Sequence, residues 1–108
     1  MPLDLPGPIA DYFAAEKAAD ADAVARGFTT DGAVRDEGGT FTGGAAIKQW
    51  NEKVRAKYHY ALEPLSVADR DGATIVAVKV TGDFPGSPIT LDYIYRLEGD
   101  KIASLEIR

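Results

Sequence analysis

Asp36 is the side chain in this sequence best placed to do chemistry. It ends a short extended segment, Ala33–Asp36, beside a second acid, Glu37, and a Gly38-Gly39 turn. The threonine-rich Thr40-Phe41-Thr42 follows, and Gly43-Gly44 opens a helix that carries Trp50. An acid at a strand end, next to a glycine turn and an aromatic-bearing helix, can face a pocket. In an apolar cavity an aspartate loses hydration, its pKa rises, and it becomes a better base near neutral pH. The plainer reading is a strand-end carboxylate that accepts bonds from its own turn. Strand alternation sends Glu37 the other way, toward solvent.

The aromatic residues offer partners for that acid. Tyr12 lies on the apolar stripe of the first helix, where a phenol is core unless its hydroxyl reaches a pocket. Tyr58, Tyr60, Tyr93 and Tyr95, with Trp50, can wall a cavity or simply pack a sheet against helices. Tyr93 and Tyr95 share a strand face, so both point inward if either does. The expected lining also takes in Phe13, Phe28, Val34 and Leu91. His59 is the only histidine, and alone it cannot build a histidine metal cluster. It reads as a surface or dimer-contact residue; a histidine–aspartate dehydratase would need it near Asp36. There is no cysteine, which excludes disulfides and thiolate metal sites. No metal and no cofactor are expected. Lys48, Lys53, Arg55 and Lys57 form a basic helix flank, normally a solvated face. No phosphate-binding glycine loop and no serine–histidine pair is recognisable.

These side chains need elements to hold them. From Pro8 the pattern is helical, because proline suits a first turn and Ile9, Tyr12, Phe13 and Glu16 recur at three- and four-residue steps. Asp20 caps a second short helix, Ala21–Arg26, which Gly27 stops. Ala33–Asp36 and Thr40–Thr42 read as short strands. A third helix spans about Gly44 to Tyr58, with Ile47, Trp50 and Val54 on one side. Long strands follow over Tyr60–Ala68, Ala73–Thr81, Ile89–Leu97 and Ile102–Ile107. The Asp69-Arg70-Asp71-Gly72 and Gly99-Asp100 turns are too short for a parallel crossover. The sum is α+β: three helices on one face of a curved antiparallel sheet of four long strands and two short ones.

Composition narrows the function. The chain has 108 residues, enough for one domain; residues 1–7 read as a proline-rich leader and 8–108 as the domain. The net charge is −5, from 17 acids against 12 bases, which argues against a nucleic-acid partner. No apolar run approaches the roughly 18 residues of a membrane span. The start, Met1-Pro2-Leu3-Asp4, has neither a basic stretch nor an apolar one, so it is not a signal peptide, and a cytoplasmic protein is expected.

The order of these pieces is similar to the cone-shaped fold of nuclear transport factor 2, and within it to the SnoaL-like proteins. The matching residues are Tyr12, Phe28-Thr29-Thr30-Asp31-Gly32-Ala33-Val34 and Gly43-Gly44-Ala45-Ala46-Ile47. Phe84-Pro85-Gly86-Ser87-Pro88 and Tyr95-Arg96-Leu97-Glu98-Gly99-Asp100-Lys101-Ile102 continue the match. Against the ketosteroid isomerase branch, Tyr12–Asp20 and Phe28–Asp36 align without gaps. The resemblance implies Asp36 as the proton-shuttling base and Tyr12 as an oxyanion donor. The branch's second donor, a protonated aspartate, falls on Tyr93, while the adjacent Asp92 faces away. It also implies a cofactor-independent isomerase or cyclase acting on a small apolar or amphipathic molecule. A non-catalytic binding module of the same fold is the alternative. A homodimer through the outer sheet face, with Thr90, Asp92, Ile94 and Arg96, completes what the resemblance implies.

Overall fold

The computed structural model describes residues 3–108, so the first two residues of the expected leader lie outside it. Leu3–Pro6 belongs to no regular element. Helix α1 (Gly7–Lys17) follows with Pro8 in its opening turn, and α2 (Ala21–Arg26) is capped as expected by Asp20, whose side chain accepts the Ala23 N–H at 3.0 Å. Strands β1 (Phe28–Asp36) and β2 (Gly39–Thr42) lead into α3 (Gly44–Tyr58). Then come β3 (Ala61–Arg70), β4 (Ala73–Thr81), β5 (Ile89–Glu98) and β6 (Lys101–Ile107).

All six strands form one sheet in the order β2-β1-β6-β5-β4-β3. The short connections make β3 through β6 antiparallel neighbours. β1, however, runs parallel to β6. These two strands are separated by most of the chain, so no short turn constrains their direction.

β1 is also longer than Ala33–Asp36. Its first half, polar Thr29-Thr30-Asp31, gives no inward alternation to read, and the strand is irregular between Phe28 and Ala33. Gly32 permits that irregularity: a Cβ there would stand 2.9 Å from the Phe28 Cβ.

The inner sheet face carries Thr74, Val76, Val78 and Val80 of β4, Tyr93 and Tyr95 of β5, and Ile102 and Leu105 of β6, all buried. Ile9 and Tyr12 of α1 and Ile47 and Trp50 of α3 close over it. The alternation in β4 and β5 thus becomes the floor on which the helices rest. Among the described residues no helix is long and apolar enough to cross a membrane.

Candidate active site

The helices do not seal the floor completely. A cavity of about 170 Å³ remains between α3, the end of α1 and the sheet. β1 delivers Asp36 to it as its last residue, half-buried. α3 delivers Trp50, Val54 and Tyr58, one helical turn apart, and β5 delivers Leu91 and Tyr93 at a spacing of two.

Asp36 is held from the helix side. The Trp50 Nε1–H donates to Asp36 Oδ2 at 3.1 Å. Burial nevertheless outweighs that bond and raises the Asp36 pKa above its ordinary value, with the neighbouring Glu37 charge adding to the rise. The shift has the direction a general base needs at neutral pH.

A second acid, Glu16, stands on the same wall. It is 7% exposed and lies one turn beyond Tyr12 on α1. Its Oε2 accepts the Tyr12 hydroxyl at 2.8 Å. Its Oε1 accepts the Tyr60 hydroxyl at 2.8 Å and Arg55 Nη2 at 3.1 Å. Arg55 Nη1 also donates to the Glu16 carbonyl at 3.1 Å, and Nη2 donates to the fully buried Asn51. Asn51 in turn donates to the Tyr60 oxygen at 3.4 Å. With three donors on its carboxylate, one of them a guanidinium, Glu16 is committed to structure. Asp36 is the carboxyl group with bonding capacity to spare.

The phenols divide in the same way. Tyr93 is 5% exposed, lines the cavity, and among the described residues its hydroxyl has no hydrogen-bond partner. Burial pushes its pKa well up, and the charges of Glu16 and Asp36 push it further, so it stays a protonated donor. Tyr12 is equally buried, but its hydroxyl already donates to Glu16. It is not on the cavity wall, so the expected meeting of Tyr12 with Asp36 is not found; Tyr93 shares the wall with Asp36 instead. The α1 residue on the wall is Glu16, one turn further along the helix.

Of the expected lining, Trp50, Tyr58, Tyr60 and Leu91 are on the wall. Phe13, Phe28, Val34 and Tyr95 are not; they pack in or against the closed core. Tyr95 does point inward with Tyr93, yet two residues along β5 its ring packs against those of Tyr12, Phe13 and Tyr93 and its buried hydroxyl has no partner. Glu16 is on the wall without being among the expected lining residues, although an acid inside an apolar helical stripe is a visible signal. So is Phe84, which sits in a turn-rich connection and carries no periodicity.

Half-exposed Tyr58 and Phe84 frame the mouth, ring edge to ring face with centroids 5.8 Å apart. Tyr58 donates to Glu37 Oε1 at 2.7 Å. Glu37 is exposed as expected, but its left-handed backbone (φ 52°) breaks the strand alternation and swings it to the mouth. Gly82 brings the Phe84 loop close: a Cβ there would stand 2.7 Å from the Tyr58 carbonyl. His59 ends α3 and faces Asp83 at 3.2 Å, both side chains exposed, and is not on the wall that Asp36 lines.

A family model described as a SnoaL-like domain matches residues 9–105. No curated protein matches the sequence. Among solved structures, a candidate polyketide cyclase from Sinorhizobium meliloti is 38% identical, with a TM-score of 0.93 over 97% of this chain and 96% of that one. A protein with a ketosteroid isomerase-like fold from Catenulispora acidiphila, solved with trimethylamine, is 20% identical, with a TM-score of 0.82 over 95% and 85%. SalBIII, an epoxide hydrolase/cyclase-like enzyme of pyran ring formation in salinomycin, is 20% identical, with a TM-score of 0.78 over 93% and 85%.

Proposed function

The chain belongs to the SnoaL-like family, and from that premise we propose that its cavity houses a cofactor-independent isomerase or cyclase working by acid–base chemistry. The observation that carries this reading is the pair on the cavity wall: a half-buried Asp36 with a raised pKa and a buried Tyr93 whose hydroxyl is free. Asp36 takes a proton from the carbon next to a carbonyl. Tyr93 donates to the carbonyl oxygen as negative charge develops there. Asp36 then returns the proton at a second carbon, or the carbanion attacks a second carbonyl carbon of the same molecule to close a ring, and the oxygen of that carbonyl takes the proton from Asp36. Tyr12 and Glu16 hold the frame.

Cavity size limits the substrate. A space of about 170 Å³ is close to the roughly 150 Å³ that accepts one benzene ring. It is below the about 300 Å³ at which drug-sized pockets begin. The reacting part of the substrate is therefore one ring or smaller, and the rest of a larger molecule projects past Tyr58 and Phe84. A steroid does not fit inside.

The reading is tested with six-membered cyclic ketones in deuterated water, following uptake of deuterium by NMR. Wild-type protein is expected to speed exchange, and Tyr93→Phe to slow it by about 10²-fold, the usual effect of one lost oxyanion donor. Tyr12→Phe is expected to cost stability instead, about 1–3 kcal/mol, since it takes a donor from buried Glu16. Ketones that bind without exchanging would make the chain a non-catalytic binding module of the same fold.

We also propose that copies pair through the outer sheet face, where Arg35, Arg70 and Arg96 lie among Asp71, Asp92 and Glu106 around the half-buried Ile94. Mixed charge of this kind is self-complementary under a two-fold axis. Sedimentation is expected to show twice the 11.5 kDa chain mass; a monomer at micromolar concentration removes the proposal.

A further inference from the structure

The cavity wall carries acids and aromatic rings but no base. Glu16, Asp36 and Glu37 supply carboxyl groups; Trp50, Tyr58, Tyr60, Phe84 and Tyr93 supply rings; no lysine or arginine lines it. Arg55 balances Glu16. Among the described residues Asp36 and Glu37 have no ion-pair partner. Lys57 lies 4.9 Å over the Tyr58 ring and feels the Glu37 charge, but it is not on the wall. The chain as a whole is also negative, at −5.

We infer that the ligand of this cavity carries a positively charged nitrogen, as a protonated or quaternary amine, together with an oxygen that accepts the Tyr93 hydroxyl. The inference rests on the reading of the cavity as the substrate site, and it names the class of substrate. Ring faces attract a desolvated cation through their quadrupoles, most strongly at tryptophan. Asp36 and Glu37 supply the countercharge that such a cation needs when it leaves water. An anionic ligand instead meets Asp36 and Glu37 on a wall that carries no cation. A cation on the substrate also serves the chemistry. It offsets the charge that develops on the carbonyl oxygen close to Asp36 and Glu16. Tyr93 adds the polar end: a buried donor with no protein partner among the described residues, on the same wall as the rings.

The protein's only tryptophan, Trp50, lies on this wall, so its fluorescence reports directly on occupancy. The probes are choline, its uncharged isostere 3,3-dimethylbutan-1-ol and the anion pivalate. Choline is expected to bind at least roughly tenfold more tightly than the uncharged isostere. Added salt is expected to weaken choline alone, and pivalate is expected not to bind. Asp36→Asn is expected to bring choline close to the isostere while leaving the isostere's own affinity unchanged, which also shows that the variant's cavity is intact. Equal binding of choline and the isostere, no response to choline, or a preference that survives Asp36→Asn overturns the inference. Exchange of uncharged ketones that depends on Asp36, without any choline preference, defeats this inference and leaves the catalytic reading standing. The reverse pattern defeats the catalytic reading alone.

Discussion

Arg55→Met is expected to destabilise the fold by about 3–5 kcal/mol, the usual cost of stripping one partner from a buried ion pair. The Glu16 side chain is 3% exposed and Arg55 is its only cationic partner among the described residues. Removing the guanidinium also deprives the Glu16 carbonyl and Asn51 of a donor, and takes a cation from 5.7 Å above the Tyr60 ring. Methionine keeps much of the side-chain volume, so the loss is electrostatic rather than a cavity effect. A domain of this size has only about 5–15 kcal/mol to lose. The measurement is urea unfolding, read as a lower midpoint with an unchanged slope. Glu16→Gln in the Arg55→Met background is expected to recover most of the loss, because an amide needs no countercharge. A single-variant loss below about 1 kcal/mol would show that the pair behaves like an exposed one.

Asp36→Asn is expected to lower the exchange rate on cyclic ketones by about 10²–10⁴-fold, the range carried by one general base. The amide can still accept the Trp50 N–H, so the wall keeps its shape while its proton acceptor is gone. The same variant is expected to be more stable than wild type at neutral pH. The sign follows from the raised pKa. The folded state holds the Asp36 proton more tightly than the unfolded chain does, where the ordinary value is 3.8. Stability therefore falls as pH climbs from about 3.8 through the folded-state pKa, and ionised Asp36 is a standing cost above it. Asparagine stays neutral throughout, so the gain should be full at neutral pH and fade below 3.8. Thermal unfolding across pH tests this. A variant with unchanged exchange removes Asp36 from the mechanism; one that is less stable than wild type at neutral pH means that Asp36 is there to hold Trp50. Activity held at the expense of stability is the pattern expected of a working base in a dry site.

How far these features could be read in advance depended on the range of the forces behind them. The four long strands, three helices and their order were legible because alternation, helical spacing, the Asp20 cap and short turns all act over a few residues. Asp36 at a cavity and the aromatic wall of Trp50, Tyr58, Tyr60 and Tyr93 followed from the same local signals. The first half of β1 is not legible in the sequence, because polar Thr29–Asp31 shows no alternation of apolar and polar residues. The parallel partnership of β1 with β6 was invisible, since most of the chain lies between them.

The sequence by itself determined a helix stripe that holds both Tyr12 and Glu16, and a strand face that holds both Tyr93 and Tyr95. It did not determine which member of each pair meets the cavity. Only the packing of α1 across β5 decided that, turning Glu16 and Tyr93 to the cavity and leaving Tyr12 and Tyr95 in the closed core. Periodicity fixes which side of an element is apolar; the depth of each residue along that side depends on where two elements cross. That crossing is made by contacts between residues far apart in the chain, the Tyr12 and Phe13 rings on those of Tyr93 and Tyr95, while Arg55 ties α1 to α3 through Glu16.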